Sequence, residues 1–199
     1  CTVEHPEVSP SYEAARTAIG ARLSRGAADH CQRVAETAGR LAVSYGTDVE
    51  RARLAGLLHD WHRETDGDVL LAKAREAGLP VYAADVAVPY LLHGPVAAAE
   101  LPEEFPGIDA DVLEAVAAHT YGAVDMSVLD KLVYVADVIE PERRHDAAAG
   151  LRSAAGTIPL DELFARAYVA SLMHVIEKRR VLHPVSVSVY NTHVARGRA

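Results

Sequence analysis

Cysteine, aromatic residues, positive charge and long apolar runs are all scarce in this chain, and each shortage removes a class of protein. Cys1 and Cys31 are the only cysteines in 199 residues, too few for a disulfide framework, so a reducing cytoplasm is the expected compartment. No run reaches the length of a membrane span and no signal-peptide pattern opens the sequence. Twenty Lys and Arg stand against 28 Asp and Glu, a formal charge of −8, so no basic surplus exists to displace counterions from nucleic acid. A local group of Arg and His can still hold a small phosphate compound. Aromatics make up only 6% of the chain while alanine is abundant, which leans towards closely packed helices.

What is present reads as one soluble, helical domain: half the residues are hydrophobic and 24% are charged. Ser9-Pro10 is a helix entry signal, and a helix from about Pro10 to Leu23 follows. Cys31, Val34, Ala35, Ala38, Leu41 and Ala42 recur at helical spacing until Gly46 stops them. Thr47 and Glu50 have capping-box spacing for a helix carrying Ala52, Ala55, Leu58 and His59. Further helices are expected over 68–77, from Gly94-Pro95, from Asp109 to His119, from Asp125 or Ser127 to Ile139, and from Pro159 onward. Residues 81–92 read as a short or broken helix, Pro102 with Pro106-Gly107 as a loop, and 143–156 as a polar, flexible segment. Val185, Val187 and Val189 alternate with serines as a strand would, yet such a strand has no partner in the chain.

One stretch asks for an explanation. In "LLHDWHR", residues 57–63, His59 and Asp60 end an apolar helical run, and an unpaired buried carboxylate is costly. They differ by about 100° on a helix and can aim at one point beside it. His30 borders the buried face made by Val34, Ala38 and Leu41, and Asp137 is similarly placed after Val133 and Tyr134. Three helices therefore offer inward His or Asp atoms, for which a bound cation is the economical explanation. Two His with two Asp suit iron(II), manganese or zinc better than calcium. Each residue also has an ordinary structural reading: a hydrogen-bonded core histidine for His30, and an ion pair with Arg143 or Arg144 for Asp137. The joint spacing favours the cation.

At this point the motifs "DHCQRVAETAGRLAVSYGTD" and "RARLAGLLHD" resemble the opening of an HD-domain phosphohydrolase. The stretches "LLHGPVAA", "VAAHTYG" and "DKLVYVADVIEPERR" narrow the resemblance to the YqeK-type HD proteins, from about Arg22 to Asn191. The resemblance implies an all-α HD-domain helical bundle, with residues 1–9 an N-terminal extension, 10–191 a single HD domain and 192–199 a C-terminal tail. It implies a metal-dependent enzyme that cleaves diadenosine tetraphosphate symmetrically into two ADP, with iron the expected metal and manganese or another transition metal the alternative. The implied partner is a small dinucleoside polyphosphate or nucleotide, not nucleic acid or membrane, with monomer and homodimer both open. A nucleoside monophosphatase and a metal-dependent nucleotide-binding module with little turnover are the rival readings.

Carried over position by position, His30, His59, Asp60 and Asp137 match the metal ligands. Asp60 is expected also to take a proton from the attacking water, and Arg63 to act beside it. Arg63, His93, His119 and Arg143 match positions near the phosphates. The resemblance also implies helix near Tyr190-Asn191, against the strand signal. His93 and His119 are assigned to phosphate rather than to a second metal, because no further carboxylate is obvious near them. Ala27 stands where a basic residue is expected, with Arg25 the nearest substitute. His62 is unusual within "HDWHR" and is read as a solvated or aromatic-packed side chain. His5, His145, His174, His183 and His193 are given structural roles, and Cys1 none.

Overall fold

The computed structural model describes residues 11–195, which fold into helices with no strand among them. Helix α1 (Tyr12–Arg22) is capped by Ser11, whose hydroxyl accepts from the Ala14 amide; the expected Ser9-Pro10 entry lies outside the described residues. Helix α2 (Arg25–Tyr45) ends where Gly46 turns left-handed at φ 67°, the conformation glycine adopts without strain. Helix α3 (Val49–Leu58) is capped by Asp48, one residue beyond the expected Thr47, because the Asp48 carboxylate reaches the Arg51 amide at 3.0 Å.

Helix α4 (Gly67–Glu76) follows, then α5 (Ala83–Ala87) and a 3-10 turn (Pro89–Leu92), the broken helix expected there. Helix α6 (His93–Glu104) contains Pro102 in its last turn, so Pro102 is not in the loop that the sequence implied. Helices α7 (Ala110–Ala118) and α8 (Val128–Ile139) match expectation, and Ser127 rather than Asp125 caps α8, in a capping box with Asp130.

Two stretches differ. The polar segment contains helix α9 (Asp146–Ala154), which buries Ala148 and Leu151 one turn apart. After α10 (Leu160–Glu177), the valine–serine stretch forms α11 (Pro184–Val189) and a π-helical turn (Tyr190–Val194). Ser186 and Val189, three residues apart, are its buried positions, which is helical spacing and not the alternation of a strand.

Helices α2 and α3 pack most intimately, and α8 lies across both while also meeting α7 and α10. Gly56 permits this approach: a Cβ there would stand 2.9 Å from the Ala35 Cα. The main core joins Val34 and Leu41 to Leu57, Leu132, Val135 and Phe164, and a smaller cluster of Leu70, Leu92 and Val96 lies under α4. Cys31 is buried in the main core; burial and the nearby Asp60 push its thiol pKa well up, so it supplies no thiolate.

Candidate metal centre

The ends of five helical elements meet at one point. His30 comes from the second turn of α2, His59 and Asp60 from the turn that follows α3, His93 from the start of α6, His119 from the cap of α7, and Asp137 from near the end of α8. His59 and Asp60 lie just past α3 rather than inside it. The chain continues there in tight turns, Trp61 bonding to the Leu58 carbonyl and Arg63 to that of Asp60. Their side chains still converge.

His30 Nε2 is 3.0 Å from Asp137 Oδ1 and 3.5 Å from Asp60 Oδ2. His59 Nε2 is 3.3 Å from the same Asp60 oxygen and 3.8 Å from Asp137 Oδ1. The other Asp60 oxygen faces His93 Nε2 at 3.1 Å and His119 Nε2 at 3.7 Å. Asp60 thus stands between two histidine pairs, with both of its oxygens in use.

The opposite ring nitrogens fix the tautomers. The Nδ1 atoms of His59, His93 and His119 lie 2.8, 2.6 and 2.7 Å from the carbonyls of Gly56, Tyr90 and Val116, each three residues back. A carbonyl can only accept, so each Nδ1 donates and each neutral ring turns a bare Nε2 lone pair inward. His30 does the same through Glu140, whose Oε1 is 3.3 Å from its Nδ1 and whose Oε2 receives Arg33 Nε at 2.8 Å. The Nε2 atoms of His30 and His59 are buried and have no hydrogen-bond partner, which is what lone pairs awaiting a cation look like. His30, His59 and Asp60 lie close enough together to hold a metal ion, and so do Asp60, His93 and His119. The nitrogen–carboxylate donor set suits a divalent transition metal.

Both carboxylates are held ionised. Burial pushes the Asp60 carboxyl up, but His59, His119 and His93 outweigh it and leave its pKa well below the usual carboxylate range. For Asp137, burial is likewise overcome by the adjacent His30 ring and the Arg143 charge. Arg143 clasps Asp137 twice, Nε to its carbonyl at 2.9 Å and a terminal nitrogen to Oδ1 at 2.5 Å. Asp137 therefore meets both its ordinary structural partner and the histidines. Arg63 donates to Asp60 Oδ2, and that charge raises the pKa of the guanidinium against the effect of burial.

Every singled-out site residue, His30, His59, Asp60, Arg63, His93, His119, Asp137 and Arg143, is thus in one neighbourhood. Two other expectations differ from the structure. Arg25 stands in solvent rather than among the site residues: its side chain is 96% exposed, 3.9 Å from Asp29. His62 is neither solvated nor packed among aromatics. It is fully buried, with Nε2 2.8 Å from Glu100 and Nδ1 near Thr65 and Arg22. The carboxylate beside His93 and His119 is Asp60 itself, whose Oδ1 faces both, so the pair shares an acid already assigned to the first site. Glu140 was missed as the buried partner of His30. Its signal was its place one helical turn after Asp137. Tyr90, stacked on His93 with ring centroids 4.4 Å apart, gave no signal in sequence.

Residues 27–142 match the family model of the HD domain. The chain belongs to the HD-domain family. Among its HD relatives, the protein of Halalkalibacterium halodurans named symmetrical bis(5'-nucleosyl)-tetraphosphatase is 32% identical over 81% of this chain and 86% of its own. The Staphylococcus aureus protein of the same name is 33% identical over 82% and 80%. The crystal structure of a Clostridium acetobutylicum protein described as a predicted HD superfamily hydrolase involved in NAD metabolism superposes with a TM-score of 0.85 at 32% identity, covering 93% of this chain and 97% of that one. The chain lies in the YqeK-type branch of the HD-domain family, and the matched range contains the adjacent His59 and Asp60.

Proposed function

We propose that this protein is a metal-dependent hydrolase that cleaves diadenosine tetraphosphate symmetrically into two ADP. The observation that carries the reading is the pair of buried, unpartnered Nε2 lone pairs of His30 and His59 facing two ionised carboxylates, in a chain whose HD relatives carry the tetraphosphatase name. His30, His59, Asp60 and Asp137 would hold the metal, iron first and manganese or another transition metal as the alternative. When bound, such an ion supplies a Lewis acid that makes water acidic enough to attack at neutral pH and polarises a phosphoryl oxygen.

The remaining work belongs to the chain. Asp60 anchors and orients; its lowered pKa makes it a better charged ligand than the proton acceptor expected of it. The His93 and His119 Nε2 atoms are 2.9 Å apart with both Nδ1 atoms committed to carbonyls, so these two nitrogens are what the pair presents beside the phosphates. Arg63 and Arg143 put two positive charges there. ADP is a good leaving group, so orientation and charge neutralisation suffice. The cytoplasm is the proposed compartment; among the described residues no helix is long and apolar enough to cross a membrane.

Chelator-stripped protein should be inactive, and reloading with iron or manganese should give ADP as the only early product. AMP plus ATP would mean the wrong phosphate bridge is broken. No turnover with any metal would favour a binding module. Asp137→Ala should lose both metal and activity while keeping its helical spectrum.

One observation favours a second reading, in which the histidine pair and Asp60 would hold a second ion: Asp60 Oδ1 lies with His93 and His119 in a metal-sized cluster. Metal content separates the two. His93→Ala should weaken nucleotide binding and leave the metal-to-protein ratio unchanged; a drop from two ions to one would establish the dinuclear site.

A further inference from the structure

A cavity of about 440 Å³ opens beside Asp137, between the end of α8, the turn before α9 and the middle of α10. Its volume falls in the range of small-molecule sites, roughly 300–1,000 Å³. Arg143, Arg144, His145 and His174 line it together with Ser171 and one carboxylate besides Asp137, that of Glu142, which is paired with Arg33 at 3.1 Å. Asp137 is paired with Arg143 and Glu142 with Arg33 from outside the cavity, which leaves Arg144 as the charge on this wall with no ion-pair partner among the described residues. His145 donates Nε2 to the Val138 carbonyl at 2.9 Å, which leaves Nδ1 facing outward. Arg144 and His174 are exposed, and Val138 with Ala170 gives the cavity an apolar side.

Its position relative to the centre gives it meaning. His93 and His119 meet one Asp60 oxygen, whereas Asp137 meets His30 and His59 with the other, so the cavity reaches the centre from the flank away from the histidine pair. A tetraphosphate broken at its middle bridge extends equally to both sides of the scissile bond. Each side then needs room for two phosphates and a nucleoside. Arg143, held to Asp137 on the cavity wall, stands at the junction.

We propose that this cavity is the subsite for the second nucleoside diphosphate half of the substrate, with Arg144, His145 and His174 binding its phosphates and ribose. The inference rests on the tetraphosphatase reading. It gives that reading a reason for symmetric cleavage: two nucleotide subsites flank one metal centre, so the bond placed over the centre is the middle one.

The test counts ADP bound to metal-loaded protein by equilibrium dialysis, with turnover of diadenosine tetraphosphate followed on the same samples. Wild type should bind two ADP per chain. The Arg144→Ala/His174→Ala double variant alters only exposed side chains, so its helical spectrum and metal content should be unchanged. It should bind one ADP, and its KM for the tetraphosphate should rise about tenfold with kcat little altered. One ADP on wild type, or two on the variant, overturns the subsite. Absence of tetraphosphate turnover in wild type would sink the functional reading instead, while the ADP count would still decide whether the cavity binds a nucleotide.

Discussion

At the scale of single residues, the polar side chains on apolar helix faces were legible and most of their partners were not, Arg143 beside Asp137 being the exception. His30, His59, Asp60 and Asp137 stand out in sequence because a charged or imidazole group interrupts an otherwise apolar helical stripe. Glu140 and His62 did not, because their meaning comes from Arg33, Arg22 and Glu100, which are distant in the chain. His62 yields a test whose sign separates two chemistries. Burial and the neighbouring Arg22 charge lower its pKa despite Glu100, so the folded protein keeps it neutral. The unfolded chain takes up that proton first, at about pH 6.5, so the stability that His62 contributes is present above that pH and lost below it. The urea midpoint of wild type should therefore exceed that of His62→Gln at pH 8, with the gap shrinking as pH falls through about 6.5. A gap that widens on acidification would mean that His62 is charged and forms an ion pair with Glu100.

At the scale of elements, helices announced themselves through periodicity and caps, and errors arose where composition misled. The 143–156 segment looked unstructured because its arginines, serine and glycines give it a polar, flexible composition, yet Ala148 and Leu151 bury against the neighbours of α9. The valine–serine alternation imitates a strand, but a strand needs an edge to pair with and a helix satisfies its own backbone. The contact between α2 and α3 is the element-scale feature closest to function. Gly56 sits where its missing Cβ lets α3 lie against Ala35, and its carbonyl receives His59 Nδ1 at 2.8 Å. Its neighbour there is backbone, which cannot rotate out of the way. Gly56→Ala should therefore cost about 1–3 kcal/mol of stability by forcing the helices apart. Because the same shift moves the carbonyl that aims His59, metal affinity should fall as well. Unfolding and metal titration on one sample check both; unchanged metal affinity in a destabilised variant would show that His59 is aimed by something else.

At the scale of the whole molecule, the charge distribution sets the approach of substrate. A chain of net charge −8 repels a tetraphosphate at long range, while Arg63 and Arg143 attract it at contact. The two effects respond differently to salt. Raising ionic strength from about 0.01 M to 0.15 M shortens the screening length from about 30 Å to about 8 Å, which removes the long-range repulsion. The contact charges are partly buried, with Arg63 and Arg143 about a third exposed at their side chains, so screening weakens them less. Added potassium chloride over that interval should leave kcat/KM for diadenosine tetraphosphate unchanged or raise it by several-fold. A protein that steers its anionic substrate through a basic surface shows the reverse, a steep loss of on-rate with salt. A tenfold fall over the same interval, with metal content constant, would mean that the local cations act well beyond contact and that the acidic exterior does not govern the encounter.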